Sequence, residues 1–171
     1  MNEVEEVNEW ILNFVEKAFP EFGDFPVCPF AKKARLNGEI TVELVRGDLE
    51  EFICSKLEDY DYNIKLSLII ETDLEKYSTE VSEELHERLK AIAEKKNIIV
   101  LMDHPEIEDY HNELKVNQGK YLLIFLQPYD TLLEYRKKAL KMGYFDNWTE
   151  ERIKDVIEDK WNDVLDDSFE S

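Results

Sequence analysis

Ile98-Ile99-Val100-Leu101-Met102 and Tyr121-Leu122-Leu123-Ile124-Phe125-Leu126 are two short, continuous apolar runs. Runs of this length without alternation suit strands buried on both faces, so both are expected at the centre of a sheet. Residues 103–119 between them are polar and carry no apolar stripe. With no crossover helix, the two strands are expected to form an antiparallel hairpin. Each strand upstream is followed by a helix, so this pairing decides what kind of sheet the chain builds.

Upstream, Ile40, Val42 and Leu44 alternate with Thr41 and Glu43, the pattern of a half-buried strand. Asp48 then caps a helix with Glu51 three residues on, and Leu49, Phe52, Ile53 and Leu57 form its buried face. Ile64, Leu66, Leu68 and Ile70 share one face of a second strand, with Lys65 and Ser67 on the other. A helical region opens at Thr72-Asp73, restarts at Ser78 and carries Val81, Leu85, Leu89, Ile92 and Ala93. The chain begins with an amphipathic helix on Val4, Val7, Trp10, Ile11, Phe14, Val15 and Ala18, ending near Pro20. It finishes with two helices. One is capped by Asp130 and stopped by Gly143. The other is capped by Thr149, with Ile153, Val156, Ile157, Trp161, Val164 and Leu165 inward. The expectation is an α/β fold, with α+β as the alternative class: a mixed sheet of about four strands with flanking helices. Residues 1–171 read as a single domain, and 166–171 as a frayed tail.

Composition bounds the function. The chain has 171 residues, 43% of them hydrophobic, enough for one sizeable core. No run approaches the roughly 18 apolar residues of a membrane span, and the start Met1-Asn2-Glu3-Val4-Glu5-Glu6 lacks the basic region of a signal peptide. Cys28 and Cys54 in unlike contexts make no disulfide framework, so a reducing cytoplasm is the expected setting. Forty acids against 21 bases give a net charge of −19. Such a field repels nucleic acid and anionic membranes, and it favours solubility, a basic protein partner or mimicry of nucleic acid.

Against that background, Cys28-Pro29-Phe30-Ala31-Lys32-Lys33-Ala34-Arg35 gathers a thiol, a proline and three cations. Proline suits the first turn of a helix, which makes Cys28 the expected N-cap and Pro29 the first helical residue of a helix running to about Leu36. Free N–H groups, the helix dipole and Lys32 and Arg35 would then favour thiolate. Cys28 is the candidate catalytic residue; Lys32, Lys33 and Arg35 are candidate ligands for an anionic group. Arg136, in the later basic cluster with Lys137, Lys138 and Lys141, is expected to join them around one anionic small molecule. The competing reading is a buried structural cysteine beside a short solvated helix.

Cys-Pro-Phe-Ala also occurs at the active-site turn of omega-class glutathione transferases. There it follows a strand of a thioredoxin-like domain, whereas residues 19–27 here hold two prolines and no alternation, which excludes that reading. Trp10 in an N-terminal helix, a short connection and then Cys28, Pro29, Phe30 and Ala31 resemble an uncharacterised bacterial family known as a domain of unknown function. The resemblance covers about the first third of the chain, and Pro128-Tyr129 resembles a later Pro-x-Tyr-like element. The family's C-terminal His and Asn-Arg-Ser-Pro signature has no counterpart here. The resemblance implies no known reaction.

The 103–113 stretch is a third candidate. Asp103, His104, Glu106 and His111 supply two imidazoles and two carboxylates, types that bind zinc or iron, and Asp103 and His104 follow a strand. The spacing matches no ligand motif, and a solvated acidic loop is the plain alternative. No phosphate-binding glycine loop and no G-x-S-x-G is present. The cofactor is therefore left open. Three functions stand in order: a small enzyme or small-molecule binder at Cys28, an acidic interaction protein, and a metal protein on the 103–113 loop.

Overall fold

In the computed structural model, which describes residues 1–166, the first helix changes its winding partway. Helix α1 spans Glu3–Trp10, capped by the Asn2 side chain on the Glu5 N–H, and continues as a π-helical turn over Ile11–Val15. The chain then doubles back. Val27 N–H donates to the Lys17 carbonyl and Cys28 N–H to the Val15 carbonyl at 3.0 Å. These bonds satisfy carbonyls that the end of a helix leaves without partners.

Helix α2 covers Ala31–Leu36, and Phe30, not Cys28, is its N-cap. Cys28 to Ala31 form a turn closed by the Ala31 N–H on the Cys28 carbonyl. Phe30 at φ −106°, ψ −8° fits the third position of a type I turn, so Pro29 sits at the second, where its fixed φ is favoured. The proline's restriction serves this turn instead of the first turn of the helix.

Strand β1 is Ile40–Leu44, helix α3 Leu49–Glu58, strand β2 Leu66–Glu71 and helix α4 Thr79–Glu94. Asp48 and Ser78 cap the two helices, as expected. Strand β3 is Ile98–Asp103, and β4 (Tyr110–His111) and β5 (Leu114–Lys115) form a miniature hairpin. Strand β6 is Leu122–Pro128 and helix α5 Tyr129–Met142, with Gly143 at φ +84° ending it. The last expected helix is broken in two: α6 at Glu150–Ile157, a 3-10 turn at Glu158–Lys160, and α7 at Trp161–Leu165. The expected frayed tail lies, beyond Asp166, outside the described residues.

The main sheet is mixed and four-stranded, in the order β1-β2-β6-β3. β1 and β2 are parallel; β6 runs antiparallel to both β2 and β3. The direct β3–β6 pairing is as expected, but β3 is an edge strand and β2 a central one. β2 is accordingly buried on both faces through Leu68, Ile69 and Ile70, not half open. On one face Ile69, Ile98, Val100, Leu122, Ile124 and Leu126 pack under α3 and α4. Each fully buried Leu or Ile there contributes about 1.5–3 kcal/mol. On the other face Leu68, Ile70 and Leu123 pack against Val7 and Ile11. The free edge of β3 is partly blunted by His86, whose Nε2 lies 2.8 Å from the Val100 carbonyl. Among the described residues no helix is long and apolar enough to cross a membrane.

Candidate functional site

α1 covers only part of the second sheet face. Where β1, β2 and β3 begin and β6 ends, the roof passes to α2, α5, the 144–148 segment and α6, which enclose a cavity of about 310 Å³. Its floor is set by strand register. Ile40 lies opposite Leu66 and Leu101 opposite Phe125, all on the side away from α3 and α4. From α5 come Leu132, Tyr135, Arg136 and Ala139, a spacing that places them on one helix face. Val15, Val27, Cys28 and Pro29 close the wall nearest α1. Tyr135 stacks on Phe30 with ring centroids 4.6 Å apart, and the Tyr144 hydroxyl donates to the Val27 carbonyl.

Cys28 and Arg136, far apart in sequence, thus share one cavity. Lys32, Lys33 and Arg35 do not join them. Lys32 and Lys33 are exposed on α2. Arg35 turns back to Glu16, which holds it through two oxygens at 2.6 and 2.9 Å. The expected cluster of four cations is therefore reduced to Arg136, with Lys65, just before β2, as the other cation in the wall.

Cys28 is not activated. Burial pushes its thiol above the usual cysteine value; Phe30 and Ala31 N–H groups pull the other way but more weakly. Such a thiol is a weak nucleophile at neutral pH. The expectation of a lowered value fails because the sulfur faces an apolar interior before any helix begins.

Arg136 is the unusual group. Three arginines are half-buried, and two are clamped by carboxylates: Arg35 by Glu16, and Arg152 by Asp109 at 2.6 and 3.3 Å. Among the described residues nothing forms an ion pair or hydrogen bond with Arg136. Burial lowers its guanidinium from the ordinary value, while Tyr129 and Glu158 act on it electrostatically in the opposite sense. It also lines an adjoining cleft of about 240 Å³ along Ile98–Leu101, with Lys90, Tyr129 and Lys160. Sequence reading grouped Arg136 with Lys137, Lys138 and Lys141 as a cation for an anionic ligand, without separating it from those neighbours. The signal for its inward position was available: Leu132, Arg136 and Ala139 lie four and three residues apart, so a cation stands within an apolar stripe. Lys138, by contrast, pairs outward with Glu134 at 2.9 Å.

The 103–113 residues form no metal centre. Among the described residues no group of three or more His, Cys, Asp or Glu side chains could hold a metal ion. His104, 4% exposed, accepts the Glu106 N–H on Nδ1 and donates from Nε2 to the Tyr77 carbonyl at 2.9 Å, leaving no free ring nitrogen. His111, 1% exposed, stacks on Phe22 with centroids 3.9 Å apart and reaches Asn147. Asp103 accepts the Gln118 N–H at 2.9 Å, and Glu106 is exposed. The segment is also not a solvated loop, because both histidines are anchors of its packing.

No protein-family model, curated protein or solved structure matches the chain.

Proposed function

We propose that the protein binds an apolar small molecule carrying one anionic group in the cavity between the sheet and α5. The observation that carries this reading is Arg136: a half-buried guanidinium with no carboxylate partner among the described residues, in a wall otherwise made largely of apolar and aromatic side chains. Burying a cation without a partner is costly, and an anionic ligand would offset that cost where Glu16 and Asp109 do so for Arg35 and Arg152. Binding sites of this kind are mostly apolar with a few placed polar groups. Cys28 enters as a wall residue, and its raised thiol favours holding a ligand over attacking one.

The test is titration with anilinonaphthalene sulfonate, an apolar anion, followed by probe fluorescence and by quenching of Trp148, which lines the cavity. Saturable binding at one site is expected. Ala139→Trp, which fills the cavity from its α5 wall, should abolish it, and Arg136→Met should weaken it about tenfold, the loss of one charged hydrogen-bonding partner. Binding unchanged in both folded variants would reject the reading.

A further inference from the structure

Resting on the binding reading above, we infer that the occupant is a monocarboxylate with an apolar body of about ten carbons, its carboxylate forked by Arg136. Size comes first. The cavity of about 310 Å³ holds about ten water-sized groups at roughly 30 Å³ each, and a methylene is of similar size. The floor offers such a body mainly apolar side chains, Ile40, Leu66, Leu101 and Phe125, with Gln127 as a polar group near the end of β6.

The head group follows from what surrounds the guanidinium. A carboxylate has two oxygens, and an arginine fork can satisfy both at once. A phosphate monoester has a third oxygen and up to two charges. Around Arg136 the shared walls of cavity and cleft are Leu101, Val156 and Ile157, which donate nothing to a third oxygen. The other donors of the cavity wall do not line the cleft that Arg136 shares: Gln127 and Tyr135 are confined to the cavity, as is Trp148, whose indole N–H is buried without a partner among the described residues. The Tyr144 hydroxyl is committed to Val27. Lys65 leads into β2, its N–H bonded to the Glu39 carbonyl, whereas Arg136 lines the cleft along β3. β6 separates β2 from β3, which places those two strands about 10 Å apart at roughly 4.8 Å per spacing. A net charge of −19 further disfavours a dianion over a monoanion.

The experiment is calorimetric titration of the whole protein with decanoate, decanol, decyl phosphate and decylammonium, all sharing one tail. Decanoate is expected to bind one to one and at least about tenfold more tightly than each of the others. Arg136→Met should bring decanoate down to the level of decanol and leave decanol unchanged. Arg136→Lys keeps the charge without the fork and should recover only part of the loss. Tighter binding of decyl phosphate, or full recovery in Arg136→Lys, would overturn the carboxylate assignment while leaving the cavity reading intact. Failure of all four tails to bind, together with no sulfonate probe binding, would overturn both.

Discussion

Asp103 closes β3 and ties it to the returning chain through the Gln118 N–H. Burial pushes its carboxyl up from 3.8 to about 6, against the pull of that N–H, with Asp109 adding to the rise and His104 and Lys115 opposing it. The folded chain therefore holds this proton more tightly than the unfolded one. Between about pH 4 and 6 folding takes up a proton here, and this group's contribution is lost as pH rises through the window. At about 1.36 kcal/mol per unit of pKa, the cost above pH 6 is at most about 3 kcal/mol. Asp103→Asn keeps an oxygen for Gln118 and removes the charge. It should be more stable than the parent by about 1–2 kcal/mol at pH 7.5 and equal to it near pH 4, read by urea unfolding. A variant less stable at pH 7.5 would make the carboxylate a net stabilising partner. At this scale the sequence was a partial guide to the site. It picked out Cys28 and Arg136 as chemically marked residues. It could not show that Glu16, nineteen positions away, takes Arg35 out of the cluster, or that Tyr77 engages His104 and Phe22 stacks on His111, because those partners are brought in only by tertiary packing.

Among the elements, the break between α6 and α7 holds the clearest strain. Glu158 has φ +55° and ψ −132°, a region essentially reserved for glycine. Holding another residue there costs on the order of 1–3 kcal/mol. Its side chain is exposed, meets Lys90 at 3.7 Å, which also meets Glu87, and acts on Arg136 through its charge, so each of these surface interactions contributes little. Glu158→Gly should relieve the strain, and Glu158→Ala should keep it while losing the same contact. The glycine variant is expected to be more stable than the alanine variant by about 1 kcal/mol in thermal unfolding, after the greater entropy lost by glycine. Equal stability would mean that the backbone is unstrained. Apolar periodicity predicted one helix across this break because Val156, Ile157, Trp161 and Val164 keep the core spacing. The same logic explains β3. Ile98-Ile99-Val100-Leu101-Met102 is apolar on both faces, which was read as central position. Its second face in fact meets the cavity and cleft, so burial of both faces comes from the roof and not from a strand on either side. The Asp48, Ser78 and Thr149 caps and the strand identities were legible because they are local, whereas Cys28 and Asp130 are not N-caps, Phe30 and Pro128 standing at those helix starts. Sheet order was not legible, because β6 inserts between β2 and β3 late in the chain.

For the whole molecule the governing quantity is charge. With 40 acids and 21 bases, at least 19 acids have no base to pair with, whatever the arrangement. Several bases are already in surface pairs such as Arg88–Glu50 at 3.0 Å and Lys120–Glu6 at 2.7 Å. The remainder repel one another across a small domain, which weakens the compact state more than the expanded one. Melting temperature should therefore rise as sodium chloride goes from about 10 to 200 mM, where the screening length falls from roughly 30 Å to below 10 Å. Magnesium should act at lower concentration because its double charge is drawn more strongly to carboxylates. Since no described cluster of His, Cys, Asp and Glu is arranged for a metal, the magnesium response should be gradual and matched by calcium. The surface pairs work against the trend, since screening weakens them too, but each is worth at most about 1 kcal/mol. A melting temperature that stays flat or falls with salt would mean that these pairs outweigh the repulsion. A sharp, saturable rise with one divalent ion would reveal a specific site and overturn the diffuse-charge account.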